Sequence, residues 1–186
     1  MPVKNLCLAV VLAGLVGAAA PVYAAGWNPQ GQTQQLEEAE ATIAKFKSSD
    51  RGLDDYFKKA YGFAVFPSIG KGGFIFAGAF GRGLVYQQGK PIGRTSVAQA
   101  SFGLQIGGQA FSEILFFKDQ KALDHFKTGS AELSAQASAV VARDGAAAAT
   151  SYDSNGVAVF VMIMGGAMLE ASVGGQKFDY QPGLDE

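Results

Sequence analysis

The sequence predicts an α+β domain in which an antiparallel, partly barrel-like sheet carries short N-terminal helices and one inserted helix. Apolar residues recur at helical spacing ahead of Gly62 and once more after Asp119. Elsewhere they alternate with glycine, alanine or polar residues, which is the period of a strand. Helices grouped at the front and in one insertion, with strands between and after them, favour this class over alternating βαβ units.

The chain begins with a pattern typical of a secretory signal peptide. Lys4 precedes an apolar run over residues 6–20, and Val22-Tyr23-Ala24 has the small-x-small form of a cleavage site. We predict a signal peptide over residues 1–24, cleavage after Ala24, and a periplasmic or secreted protein. Without Lys4, 14 Lys and Arg face 16 Asp and Glu, a formal net charge of −2.

Cysteine usage limits the chemistry of the mature protein. Cys7 lies in the apolar run, and Asn5-Leu6 before it lacks the small residues of a lipidation signal. Cleavage would remove this single cysteine, which excludes disulfides, thiolate zinc sites and cysteine nucleophiles. No later apolar run reaches the ~18 residues of a membrane-spanning helix.

Residues 25–32 are polar and predict a flexible lead to a single domain over residues 33–186. A helix is expected from Thr33, and a second short helix is expected after a cap at Ser49 or Asp50, with Gly62 as its stop. The inserted helix is expected to begin at Asp119 and to end before Gly129. The apolar positions behind these predictions are Leu36, Ala39, Ile43 and Phe46, then Leu53, Phe57 and Ala60, then Ala122, Leu123 and Phe126.

The first strands have one bulky side and one nearly bare side, which is expected to be wet or closely approached. The bulky positions are Phe74, Phe76, Phe80, Leu84 and Tyr86, and the bare ones are Ala77, Ala79, Gly81 and Gly83. A second strand repeats the pattern through Phe102, Leu104, Ile106 and Ala110.

Later strands are shorter. Residues 133–141 are rich in alanine, which favours a helix, but their alternation favours a strand, and we predict the strand. Asn155-Gly156 predicts a hairpin turn into a buried strand over residues 157–164. Final strands are expected over residues 167–173 and 178–180.

Catalytic and metal-binding patterns are weak. His125 has no second histidine and no cysteine in the mature chain, so it is expected to be a surface side chain. Ser68 to Lys71 with Lys127-Thr128-Gly129 matches elements of penicillin-recognising enzymes only outside their structural context. Gly70-Lys71-Gly72-Gly73 lacks the spacing of a phosphate-binding loop. We expect a protein that is not an enzyme and has no cofactor or metal.

The distribution of charge is more informative. Residues 56–112 contain no Asp or Glu but six basic residues, which are the candidate lipid-binding positions Lys58, Lys59, Lys71, Arg82, Lys90 and Arg94. Basic residues interleaved with aromatic ones suit an anionic phospholipid or membrane surface. Tyr61, Phe63 and Phe74 are the candidate membrane contacts. The alternative is that the aromatics are core and the charges point in several directions. Nucleic acid is not expected, since the chain is exported and acidic.

Four ordered segments resemble the SYLF domain, a lipid-binding family. They are Tyr61-Gly62-Phe63-Ala64-Val65-Phe66-Pro67, Gly70-Lys71-Gly72-Gly73, Gly81-Arg82-Gly83-Leu84-Val85-Tyr86 and Gly103-Leu104-Gln105-Ile106-Gly107-Gly108-Gln109. The resemblance implies binding of anionic phospholipids through an amphipathic helix around residues 53–61, its Lys58 and Lys59, and Lys71. Some eukaryotic members bind phosphoinositides or actin. In an exported protein, phosphatidylglycerol or cardiolipin is the expected ligand.

Two features of the sequence bear on which parts of the chain bind a ligand. Residues 89–96 depart from the Trp-Ser-x-Pro-like stretch of many SYLF members, so the resemblance implies no ligand contact for that segment. A partner-binding envelope protein without a lipid ligand is the alternative function, supported by the polar positions Ser101, Gly103, Gln105, Gly107 and Gln109. Lys71 itself is expected in an open turn, either as a free charge or as a headgroup contact.

Overall fold

The structure is a computed structural model that describes residues 29–73, 76–102, 109–129, 132–133, 139–165 and 175–184. Its helices are α1 (Pro29–Ser49), α2 (Leu53–Lys59), α3 (Gln120–Lys127) and α4 (Ala146–Ala149). Its strands are β1 (Gly62–Gly73), β2 (Phe76–Gln87), β3 (Lys90–Phe102), β4 (Gln109–Phe117), β5 (Glu132–Leu133), β6 (Ala139–Val141), β7 (Val157–Gly165) and β8 (Gln176–Pro182).

The strands form one sheet in the order β5-β8-β3-β2-β1-β4-β7-β6. All neighbours pair antiparallel except β6 and β7, which run parallel. The predicted α+β class is confirmed, and the sheet is not closed. The longest strands, β1 to β3, lie at its centre, and each pairs antiparallel with the next along the chain.

The sheet is strongly rolled. Four strand intervals separate β8 from β4, a distance of about 19 Å in a flat sheet. Yet Gln176 of β8 and Glu113 of β4 are hydrogen-bonded at 3.0 Å. The ring centroids of Phe66 in β1 and Phe178 in β8 are only 5.8 Å apart. Side chains on the inner face therefore meet across the roll, which gives the sheet its barrel-like part.

The link between the two outer strands requires the same curvature. Leu133 ends β5 on one edge, and Ala139 begins β6 on the other. Six residue steps reach at most about 22 Å. The seven strand intervals of a flat sheet would separate these edges by about 34 Å. The edges must therefore approach each other, although no ladder joins them among the described residues.

The inside of the roll is an apolar core closed by α3. Phe126 of α3 packs against Phe117 and Phe178, with ring centroids 4.8 and 5.2 Å apart. Asp119 caps this helix, since its side chain accepts the N–H of Ala122 at 2.9 Å. The larger buried members of this cluster are Phe66, Ile69, Val85, Val97, Phe111, Leu115, Phe117, Leu123, Phe126, Val159, Val161 and Phe178.

The bare side of β2 faces this interior. A Cβ atom at Gly83 would lie 2.3 Å from the carbonyl oxygen of Val65, and one at Gly81 would lie 2.6 Å from the side chain of Ile69. Real Cβ atoms do not approach so closely, so both positions require glycine. The prediction of a closely approached side is confirmed here, and β1 is what approaches it.

The outer face of the sheet packs against α1, α2 and α4. Its larger buried residues are Phe46, Leu53, Phe63, Val65, Leu84, Tyr86, Ile114, Phe116 and Phe160. Tyr56 donates its hydroxyl to the Thr150 carbonyl at 2.6 Å, which ties α2 to the end of α4. Asp50 accepts the N–H groups of Gly52 and Ala147 at 2.8 and 2.7 Å, so it fastens α4 to the turn before α2.

The first helices differ in detail from the prediction. α1 begins at Pro29, so residues 29–32 of the expected flexible lead are helical. The N-cap of α2 is Gly52, and Asp50 binds the N–H of that residue instead of capping the helix itself. The helix ends through Ala60, whose N–H donates to Tyr56, while Gly62 already belongs to β1.

The expected open turn at Lys71 is wrong. Lys71 lies within β1 and is paired with Ala79 of β2 on one side and with Gln109 of β4 on the other. The glycines around it suggested a turn, but they belong to a strand whose backbone bonds to neighbours on both sides. The strand interpretation of residues 133–141 is confirmed at both ends, by β5 and β6.

The Asn155-Gly156 turn leads into β7 as predicted, and Gly156 has a φ of +75°. It is not a hairpin turn, because α4 precedes it and β6 pairs with β7 in parallel. A parallel pair needs a crossover, and α4 lies in that connection. The predicted signal peptide, Phe74, residues 103–108 and the strand over residues 167–173 lie outside the described residues.

Candidate functional site: a groove with two arginines

Arg82 and Arg94 come together on the outer face of the sheet. Arg82 of β2 is paired with Ser96 of β3, and Leu84 is paired with Arg94, so the two arginines are diagonal neighbours on one face. Diagonal positions across a strand pair are about 7–8 Å apart, within reach of long side chains. They are distant in sequence, and the β2–β3 register places them together.

The N-terminal half of α1 covers this face and leaves a groove, which we call the arginine groove. It consists of two adjoining cavities of about 350 and 470 Å³ that share Gln35, Phe80, Arg82 and Gly83. Arg94, Thr95, Ser96, Asp179 and Gln181 complete the first cavity, whereas Gly31, Gln34, Glu38, Pro67, Ser68, Gly70, Gly81 and Leu84 complete the second. These volumes fall in the range of small-molecule sites.

The groove combines available positive charge with an exposed aromatic ring. Ion pairs within the described part of the chain join Lys47 to Asp54, Lys59 to Asp55 and Lys127 to Asp124, so neither arginine takes part in one. The Nε of Arg94 is buried and has no hydrogen-bond partner among the described residues. Phe80 is 55 % exposed beside them. An anionic group entering the groove would meet both guanidinium groups and one apolar surface.

Acidic groups in the groove limit its positive charge. Asp179 of β8 lines the first cavity, and its backbone carbonyl accepts the hydroxyl of Thr95 at 2.6 Å. Glu38 of α1 lines the second cavity and accepts a hydrogen bond from Gln34 at 2.9 Å. The excess of positive charge is therefore confined to the end where both arginines lie.

Three other predicted basic residues lie elsewhere, at what we call the lysine end. Lys58 and Lys59 end α2, and Lys90 follows the turn between β2 and β3. Lys58 and Lys59 line a shallow depression with Tyr61 and Lys118. Lys59 is bound to Asp55 at 2.8 Å, which offsets its charge. The six predicted residues therefore do not form one surface.

The aromatic residues predicted as membrane contacts also lie in different surroundings. Phe63 is a core residue, 6 % exposed and stacked on Tyr86 with ring centroids 4.8 Å apart. Its assignment as a membrane contact is wrong, because the helices on the outer face cover it. Tyr61 is half-buried, and its hydroxyl accepts a hydrogen bond from Gln87 at 2.9 Å. Phe74 and the side chain of Lys71 lie outside what is described.

Sequence reasoning missed Phe80 and α1 as parts of the site. The alternation of β2 places Phe80, Arg82 and Leu84 on one side, and this was the available signal. The contribution of α1 and of β8 depends on tertiary packing that periodicity does not encode.

Comparison with known proteins finds a family model that matches part of the chain. Residues 98–182 match the family model Ysc84, described as "Las17-binding protein actin regulator". This match supports the resemblance to the SYLF family over residues 98–182. SYLF proteins are known in general for lipid-related or actin-related binding. Within the arginine groove, Asp179 and Gln181 fall inside the matched SYLF segment, whereas Arg82 and Arg94 precede it.

One curated relative is "Beta cell expansion factor A" of Aeromonas veronii, itself a SYLF-family protein. It is 28 % identical over 132 residues, which are 70 % of this chain and 49 % of that protein. The chain thus spans about half the length of this relative.

Two further observations concern the described ranges only. None of their helices is both long and apolar enough to cross a membrane. No cluster of three or more His, Cys, Asp or Glu within them is placed to hold a metal ion.

Proposed function

We propose that the protein is an exported envelope protein that binds anionic phospholipids, with the phosphate of the headgroup held by Arg82 and Arg94. The observation that carries this proposal is the pair of guanidinium groups without ion-pair partners beside the exposed ring of Phe80. The resemblance to the SYLF family supports a binding function of this general kind.

The chemistry of the groove suits an anionic group that offers two oxygens next to an apolar segment, as the phosphodiester of a phospholipid does. A guanidinium offers a planar fork of donors that matches two phosphate oxygens, and charge-assisted bonds of this kind are short and strong. Phe80 would meet the glycerol and upper acyl region next to the headgroup. Each basic residue near an anionic membrane contributes about 1 kcal/mol, so the two arginines account for weak, salt-sensitive binding.

The lysine end supplies a second, less specific contact. Lys58, Lys90 and Lys118 are exposed there, and long lysine side chains attract anionic headgroups without fixing their geometry. We propose that this end contributes to membrane attraction and that the arginine groove selects the headgroup. Binding, not catalysis, is the proposed activity.

The place of action follows from the predicted signal peptide. An envelope location favours phosphatidylglycerol or cardiolipin over phosphoinositides, and it separates the protein from actin. The name of the matched family describes actin regulation. For this chain we propose envelope phospholipids as the partners.

A second candidate, a partner-binding envelope protein, is favoured by one separate observation. Val141, Ile163 and Met164 are exposed apolar residues on the neighbouring strands β6 and β7, 37, 38 and 53 % exposed. A pull-down from envelope extract, with and without detergent, separates the candidates. A partner that survives delipidation and is lost in Met164→Lys favours the second.

Co-sedimentation with vesicles tests the first proposal. Vesicles containing phosphatidylglycerol or cardiolipin should bind the protein, whereas pure phosphatidylcholine vesicles should not, and binding should decline toward about 0.5 M salt as screening increases. Arg82→Gln with Arg94→Gln should weaken binding about tenfold or more, in line with about 1 kcal/mol for each residue.

The matched control removes two positive charges elsewhere. Lys45→Gln with Arg143→Gln alters exposed residues outside the lining of the groove. If the control weakens binding as much as the arginine variant does, net charge alone explains the attraction and the groove has no selective role. Equal binding to neutral vesicles would remove the electrostatic basis of the proposal.

A further inference from the structure

Glu113 is an acidic residue in the middle of the apolar interior. It lies on β4 between Phe66 of β1 and Val161 of β7, and it is 0 % exposed. It has the same parity as Phe111 and Leu115, so it faces the inside of the roll. A buried ionised carboxylate is costly unless donors or a cation compensate it.

The compensation seen here is incomplete. Gln176 of β8 donates its Nε2 to Oε2 of Glu113 at 3.0 Å. Oε1 of Glu113 and Oε1 of Gln176 are both buried and have no hydrogen-bond partner among the described residues. Both atoms are acceptors, so the pair lacks one donor. A proton on the carboxyl group would supply it, because a neutral acid and an amide can each donate to the other.

Neighbouring elements bring no charge toward Glu113. The inner faces around it present Phe66 and Ile69 of β1, Val97 and Gln99 of β3, Val161 of β7, Phe178 of β8 and Phe126 of α3. The described titratable residues of β3, β8 and α3 are all exposed or only partly buried; they are Lys90, Arg94, Lys177, Asp179, Tyr180, Lys121, Asp124, His125 and Lys127. Lys71 of β1 is paired with Gln109, four residues from Glu113 along β4 and thus about 13 Å away.

We infer that Glu113 is a proton-binding site, and that the folded protein holds this carboxyl group neutral as part of an acid–amide pair that fastens β8 to β4 across the inside of the roll. Burial raises the pKa of Glu113 to about 7, and the hydrogen bond from Gln176 opposes part of that rise. The site is independent of the proposed lipid function, since neither residue lines the arginine groove.

The sign of the resulting pH dependence is fixed. The pKa is higher in the folded chain than the ordinary value of 4.5, so the folded state binds more protons between these two values. The stability contributed by the neutral acid is fully present below pH 4.5 and is lost as the pH rises toward 7. Across this window the folding equilibrium constant should fall on the order of a hundredfold on account of Glu113 alone.

Glu113→Gln is the matched variant, because an amide replaces the neutral acid without changing its shape and can still exchange hydrogen bonds with Gln176. Urea unfolding of the full chain and of this variant should be measured from pH 4.5 to pH 8. The ratio of the two folding constants should change on the order of a hundredfold across the range. Parallel pH profiles would overturn the inference.

A direct titration covers the case in which the variant does not fold. The carboxyl ¹³C shift of Glu113 in the labelled full chain should titrate with a midpoint near 7. A midpoint at or below 4.5 would show that the group is ionised in the folded state, and the inference would be wrong. Amide protection factors, which correct for the intrinsic rise of exchange with pH, should fall in β8 as Glu113 loses its proton, whereas those in the β1–β2 ladder should change much less.

Discussion

Asp50 and Glu113 are both buried carboxyl groups, 3 and 0 % exposed, but their surroundings favour opposite states. Burial acts to raise the pKa of each. At Asp50, hydrogen bonds from the backbone N–H groups of Ala147 and Gly52 outweigh burial, and the pKa is lowered. At Glu113 one amide donor is not enough, and the pKa is raised. Glu113 lies deeper inside the protein than Asp50 and also has fewer donors, and both differences favour its neutral form.

The same exchange of acid for amide should therefore have unequal effects at the two sites. Asp50→Asn should lower the free energy of unfolding by about 3 kcal/mol at pH 7, because it removes two charge-assisted bonds of about 1.5–3 kcal/mol each and the new amide keeps only part of them. Urea unfolding measures this loss. Asp119→Asn is the control, since asparagine caps helices about as well as aspartate and should cost only a few tenths of a kcal/mol. A loss below 1 kcal/mol at Asp50 would contradict the comparison.

A pH profile of stability should separate the two carboxyl groups. The lowered pKa of Asp50 gives a contribution that is present above its ordinary value of 3.8 and is lost as the pH falls through the folded pKa. The contribution of Glu113 to stability is lost in the opposite direction, as the pH rises from 4.5 to about 7. The free energy of unfolding should therefore pass through a maximum near pH 4–5. Asp50→Asn should flatten the acid side of this pH profile, and Glu113→Gln should flatten the side above the maximum. The comparison fails if each variant alters both sides equally.

The smallest expected effect on stability belongs to the arginine groove. Phe80→Ala should change the free energy of unfolding by less than about 0.5 kcal/mol, because the ring is more than half exposed. Binding to phosphatidylglycerol vesicles should nevertheless weaken several-fold, since an apolar contact with the membrane is lost. Ile163→Ala, an exposed apolar residue on β7, is the matched control and should leave vesicle binding unchanged. Loss of binding in both variants would indicate general apolar adsorption.

The predictable parts of this molecule are those that depend on neighbours in sequence. α3 follows from Asp119 at its start and Gly129 at its end, and the turn before β7 follows from Asn155-Gly156. The strand character of β1 and β2 was visible, but the glycines around Lys71 were assigned to a turn because their pairing partners are far away in sequence.

For the same reason, only part of the candidate site could be predicted from the sequence. Arg82 and Arg94 were identified by charge, but their separation from Lys58, Lys59 and Lys90 depends on register and on how α1 packs. Glu113 had a local signal that was not used. It stands between Phe111 and Leu115 on a strand with few polar residues, where a charged side chain of inward parity must be compensated or neutral.

The position of β8 in the sheet has a consequence for the order of assembly. β8 covers the outer edge of β3, and the two strands are separated by more than seventy residues in the chain. Synthesis and export both proceed from the N-terminus, so β1 to β4 are available long before Gln176–Pro182, and the edge of β3 that β8 later covers is open during that interval. Such an edge can pair with another chain, and non-local closure is slow. The nascent protein is thus most prone to aggregation just before its last strand arrives, and the charged residues Lys90 and Arg94 on β3 help to protect it until then.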